Sequence, residues 1–158
     1  MPVQTRWLIP GRVIFLQALG DVSTYNFDEF VADVDALMLQ RTGEIHLVQD
    51  LRLLTKPNLN FGNLRKLIHV IRGFNGWYLQ FGQAENPVLR FVMATSARIL
   101  GIRTQPIFVD YESARMFLAE YDPLLELPEK PPLFYSLAEL QEHLPPQFIA
   151  QLQQEGEL

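Results

Sequence analysis

The order in which two hydrophobic patterns follow one another constrains this chain more than any single motif. Two runs rich in β-branched and aromatic residues, "TRWLI" and "RVIFLQAL", flank Pro10-Gly11. Pro presets the φ of a turn and Gly supplies a positive one, so the pair predicts a β-hairpin. Gly20 and Asp21 then close the second strand. From there helix-period and strand-like segments alternate to about Asp122. Such an order predicts an α/β fold: a mostly parallel sheet with an N-terminal antiparallel hairpin and helices packed on it.

The segments read as follows. "NFDEFVADVDALMLQRTG" sets Phe27, Phe30, Val31, Val34, Leu37 and Met38 on one helical face, with Asn26 and Glu29 as cap and Gly43 as stop. "IHLVQDL" is short and apolar, a buried strand. Phe61, Leu64, Leu67, Ile68 and Ile71 repeat helically up to Arg72-Gly73, and "GWYLQFG" is a further strand. Asn86-Pro87 opens a third helix, since Pro in the first turn loses no hydrogen bond, and Leu89, Val92, Met93, Ile99 and Leu100 lead to Gly101 as its stop. "PIFVD" reads as the last strand and "YESARMFLAEYD" as the last helix of the main body. Val13, Phe15, Leu47, Leu79, Phe81, Ile107 and Val109 are the expected sheet core.

Residues 1–122 make one domain on this reading, and 123–158 an extension. "PLLELPEKPPLFY" is proline-rich and aperiodic, which predicts a strap across the surface. Ser136 with Glu139 then forms a capping box, and Pro145-Pro146 starts another short helix. Helices this short are marginal alone, so Leu137, Leu140, Leu144, Phe148, Ile149 and Leu152 need a surface. Either their own domain or a second subunit satisfies them. The hairpin's edge strand and Trp7 tip the expectation toward a homodimer.

Composition excludes several classes of function. The chain has no cysteine, so disulfides, thiolate nucleophiles and Cys-based metal sites are absent. A net charge of −5 disfavours nucleic-acid binding. Apolar runs fall short of the ~20 residues of a membrane span. The opening "MPVQTRWLIPGR" lacks the pattern of a signal peptide, so a cytoplasmic location is expected. His46, His69 and His143 show no metal-ligand spacing, and "GFNGWYLQFG" has no phosphate-cradling pattern. Ser96 and Ser113 lack a nucleophile's context. No enzyme, cofactor or metal is implied.

The order β-β-α-β-α-β-α-β-α resembles the STAS superfamily, the sulphate-transporter and anti-sigma-factor-antagonist domains, and within it the small bacterial SpoIIAA-like proteins. "RVIFLQALGDVS", "IHLVQDLR" and "FVDYESARMFL" carry the likeness, which covers about residues 4–122. The resemblance implies a non-catalytic regulatory module acting through protein contacts. In the antagonists a serine at the start of the second helix is phosphorylated, and the added charge breaks the complex. Counting from Asp50, the matching positions here are Leu59 and Asn60, neither of which accepts a phosphate. Thr55 is the nearby hydroxyl and comes too early, so the resemblance implies a member without the serine switch.

Two groups of residues remain as candidate binding positions. Asp50 and Asp110 each end a predicted strand, where open α/β sheets bind ligands. They serve either as an acid/base pair or as a loop-stabilising Asx turn and a helix cap. Arg52, Thr55, Asn58 and Asn60 belong to the loop that follows Asp50. Arg65, His69 and Arg72 lie at helical spacing beside Lys66, and this stripe either receives an acidic partner or a phosphate, or is a solvated face. A second functional class stays open: carriage of a small apolar or lipid-like ligand between sheet and helices. A cavity larger than a few waters favours the carrier, and a packed body with an exposed second helix favours the regulator.

Overall fold

A computed structural model describes residues 1–58 and 60–158. The chain runs through β1 (Val3–Ile9), β2 (Val13–Ala18), β3 (Gly20–Asp21), α1 (Asp28–Met38), β4 (His46–Asp50) and β5 (Leu54–Lys56). It continues through α2 (Phe61–Arg72), β6 (Tyr78–Phe81), α3 (Pro87–Leu100), α4 (Tyr111–Tyr121), α5 (Leu137–His143) and α6 (Pro146–Gln154). The main sheet has the order β1-β2-β4-β6, antiparallel in the first pair and parallel in the other two. The expected α/β architecture with its opening hairpin is therefore present.

Alternation along the strands sorts side chains to two faces. Ile14, Leu16, Ala18 and Leu47 point to a core shared with α1, α2 and Leu89 of α3. Val13, Phe15, Val48, Leu79 and Phe81 point to the opposite face, covered by Tyr111, Ala114 and Leu118 of α4 and by Leu125 of the strap. Five of the seven expected core residues are fully buried on these two faces, Leu47 on the first and Val13, Phe15, Leu79 and Phe81 on the second.

Val109 is not. It is 76% exposed, and "PIFVD" forms no continuous strand. Thr104 and Phe108 make isolated parallel bridges to Tyr78 and Phe81, and the Phe108 N–H donates to Gln80 O at 2.9 Å. Between them sits Pro106, which has no N–H to give and interrupts the ladder. Ile107 is partly buried against the helical face of the sheet.

Four local expectations also change. Gly20 and Asp21 do not close β2; Gly20 N–H donates to Leu53 O and the pair forms β3, parallel to β5 inside the supposed loop. At α1 no capping box forms: Phe27 occupies the cap, and Asn26 Oδ1 accepts from Asp28 N at 3.0 Å. That helix stops at Met38, ahead of Gly43, and the Thr42 N–H donates to Gly11 O of the hairpin turn at 3.0 Å. Phe61, assigned to the apolar face of α2, is 76% exposed.

Other boundaries follow the sequence. Asn86 caps α3 by accepting from Val88 and Leu89 N–H, and Gly101 ends it in the left-handed conformation that a side chain disfavours. Asp110 caps α4 through Ser113 N–H, and the Ser136–Glu139 capping box opens α5.

The extension folds onto its own chain. Leu140, Leu144, Ile149 and Leu152 close over Leu19 and Leu53 at the carboxyl end of the strands, with Tyr135. Trp7 is covered too, by α1 and by a hydrogen bond from its Nε1 to Gln40 Oε1 at 3.1 Å. The tail and Trp7 thus find cover within one chain, while β1 remains the outer strand of the sheet.

Candidate functional site

Register places two polar pairs on opposite faces of the same sheet. Gln17 opposes Asp50 on the strap side, and Gln49 opposes Gln80 on the helical side.

On the strap side the network is closed. Gln17 Nε2 donates to Asp50 Oδ2 at 2.7 Å and to Pro132 O at 3.3 Å, and Gln17 Oε1 accepts from Phe134 N at 2.9 Å. Asp50 Oδ1 accepts from Arg52 N at 2.9 Å, the Asx turn read from the sequence, and from Arg52 Nε at 3.0 Å. Arg52 Nη2 completes the fork on Oδ2 at 2.7 Å, while Nη1 pairs with Glu157 near the end of the chain. Burial opposes the Arg52 charge, but the Asp50 and Glu157 contacts outweigh it and hold its pKa above the ordinary value. Every acceptor position on Asp50 is engaged and the strap lies over it. Asp110 shares no partner with Asp50 among the described residues, since its carboxylate is spent on Ser113. The two carboxylates form no acid/base pair.

The loop residues are structural in their contacts. Asn58 is buried, donates to Tyr25 O at 3.0 Å and accepts from Asn60 N at 2.9 Å. Asn60 caps α2, accepting from Gly62 and Asn63 N–H. Thr55 is exposed on β5. Leu59 lies outside the described residues. Arg65, His69 and Arg72 stand exposed along α2, while Lys66 turns to Asp28 of α1 at 2.7 Å.

On the helical side there is a pocket of about 90 Å³ between the sheet and α1, α2 and α3. A single water needs roughly 10–15 Å³ on this scale, so the space exceeds a few waters. Its walls are apolar, including Leu16, Phe30, Leu64, Leu67, Leu89 and Met93. Its floor is not: Gln49, Tyr78 and Gln80 converge there. The Tyr78 hydroxyl donates to Gln49 Oε1, and Gln80 Nε2 donates to the same oxygen at 2.8 Å and to Tyr78 Oη at 3.0 Å. Burial pushes the Tyr78 phenol well up, which keeps its proton in place. Gln49 Nε2 and Gln80 Oε1 have no partner among the described residues.

The sequence left an apolar cavity between sheet and helices open as one of two readings, and its polar floor went unread. The signal was present: "VQD" and "YLQF" each put a glutamine inside an otherwise apolar strand. Buried glutamine requires partners, and two on neighbouring strands are the simplest source.

Compared with family models, curated proteins and solved structures, the chain matches none. No group of three or more His, Asp or Glu among the described residues is placed to hold a metal ion. No described helix is long and apolar enough to cross a membrane.

Proposed function

We propose that this protein is a non-catalytic binding module that takes a small, mainly apolar ligand between its sheet and helices. The pocket with an apolar wall and a Gln49–Tyr78–Gln80 floor carries this reading. Ligand sites characteristically combine apolar lining with a few placed polar groups. The amide N–H of Gln49 and carbonyl of Gln80, without a partner among the described residues, suit a ligand with one end that both accepts and donates, such as a carboxylic acid or an alcohol. The volume suits a short acyl chain or a small ring, close to the scale of engineered cavities of about 150 Å³ that admit benzene.

Calorimetric titration with a series of straight-chain alkanols and alkanoic acids tests this. Binding is expected to strengthen with chain length and then stop abruptly when the pocket is full. Met93→Trp, which fills the pocket, is expected to abolish it, and Gln80→Leu to weaken it about tenfold, as loss of one buried hydrogen-bond partner does. Absence of binding throughout the series at millimolar concentration removes the proposal.

The regulatory reading implied by the STAS-like element order is the second. Its support is the exposed face of α2, where Arg65 and Arg72 have no ion-pair partner among the described residues. An acidic protein is the partner such a face suits.

A further inference from the structure

The helix that roofs the pocket is poorly buried for its composition. α3 holds Val88, Leu89, Phe91, Val92, Met93, Ile99 and Leu100, yet among its residues Leu89 alone is buried. Phe91 is 71% and Ile99 76% exposed. Helical spacing shows where they point. Val92 lines the pocket, and Val88 and Ile99 lie four residues before and seven after it, so one apolar row runs along that side of α3, while Phe91 stands beside the row and borders the hollow next to Thr104 and Ile107. On α2 the pocket-lining Leu64 is flanked in the same way by Phe61 and Ile68. The two rows face each other across the valley above the pocket. Its rim is apolar and open to solvent.

Charge is distributed to match. Between Pro57 and Val109 there are six Lys and Arg against one acid, Glu85, while the rest of the chain has seven against seventeen. The helices α2 and α3 therefore carry cations and no acid of their own, although Asp28 of α1 pairs with Lys66 and borders Arg65. Arg65, Arg72 and Arg98 are exposed there, with no carboxylate paired to them among the described residues.

We propose that this face is a docking surface for an anionic lipid bilayer, with Phe61, Phe91 and Ile99 entering the interface and Arg65, Arg72 and Arg98 meeting the headgroups. Exposed aromatic and branched apolar side chains among cations are the pattern of interfacial helices. An acidic protein would use the same cations, and binding to vesicles against binding to a polyanion separates the two. The inference does not require the pocket to hold a ligand, because the rim and its charges exist without one. It does place the pocket's mouth against the membrane.

Flotation of the full-length protein with vesicles distinguishes the alternatives. Binding is expected to vesicles of phosphatidylcholine doped with phosphatidylglycerol, to be weak on pure phosphatidylcholine, and to fall as salt is raised. Reversing Arg65→Glu and Arg98→Glu together should lower partitioning at least about tenfold, since each cation near such a surface contributes roughly fivefold. Phe91→Ser should weaken binding with the charges intact. All three positions are exposed, so unchanged circular dichroism and melting are expected in the variants. The proposal is overturned if the anionic vesicles are not bound, or if both variants bind as the parent does. Binding to polyglutamate with no flotation also overturns it, in favour of an acidic protein partner. None of these outcomes depends on the alkanol titration, so the two readings fail separately.

Discussion

Gln17 and Asp50 are register partners on neighbouring parallel strands, and their side chains meet at 2.7 Å in a fully buried site. The strap is fastened to this pair through Pro132 O and Phe134 N, and Tyr135 adds a hydrogen bond from its hydroxyl to Gln17 O at 3.0 Å. The pair thereby joins the sheet, the loop after β4 and the extension.

Removing the carboxylate is expected to be severe. Asp50→Ala strands the Gln17 amide and leaves Arg52, whose side chain is only 15% exposed, without its forked partner. Breaking a buried pair from one side costs about 3–5 kcal/mol. Urea unfolding measures it. Asp50→Asn retains an acceptor and should lose less.

The core assignment is tested by two residues that the sequence treats alike. Leu47 is fully buried between β2 and β6, and Leu47→Ala is expected to cost about 2–5 kcal/mol. Val109 belongs to the same kind of apolar run but is exposed, so Val109→Ala should stay within about 0.5 kcal/mol. Equal effects would show that the segment after Pro106 is misplaced.

That contrast shows what was legible and why. Strands β1, β2, β4 and β6 and helices α1 to α6 announce themselves by period or by cap, because those signals are local. Pro106 was an equally local signal against a regular final strand, and the apolar letters around it masked that. The separate pairing of Gly20 with Leu54 was not legible, because it depends on where two loops meet. The binding positions divide in the same way. Asp50 as an Asx turn and Asn60 at the start of a helix are local matters. The fork from Arg52 to Asp50 and on to Glu157 spans more than a hundred residues, and no short-range pattern encodes it. The pocket floor falls between these cases, since two glutamines in apolar strands are visible but their register is not.

The extension should behave as part of the folded body. Leu140 is completely buried against Leu19 and Leu53, so Leu140→Ala is expected to cost about 2–5 kcal/mol and to shift one cooperative transition. Monitoring Trp7 and Trp77 fluorescence beside far-ultraviolet circular dichroism checks this. Two separated transitions would mean that residues 123–158 fold independently. With the tail and Trp7 both covered in cis, light scattering at tens of micromolar is expected to give the mass of a single chain.

His46 should make stability sensitive to mild acid. It is fully buried on β4, its Nδ1 accepts the Trp77 N–H at 2.9 Å, and the edge of the ring contact with Tyr121 closes over it. Gly76 allows this packing, since a Cβ there would come within 2.4 Å of Nδ1. Burial lowers the His46 pKa; Arg12 and Arg103 push the same way, and Glu44 and Asp122 only partly oppose them. The neutral ring is therefore the folded form, and the unfolded chain binds a proton that the folded one resists. Stability from this group is complete above the unfolded value, near pH 6.5, and is lost as pH falls from there toward the depressed folded value. Carboxylates such as Asp110 and Asp122, whose pKa values are also lowered, give up their share in a more acidic range. Urea midpoints measured between pH 7.5 and 5 should therefore fall on acidification in the parent. In His46→Gln, which keeps an acceptor for Trp77 and cannot be protonated, the midpoint should stay flat over that interval. A parent profile just as flat would mean that His46 carries its proton without penalty.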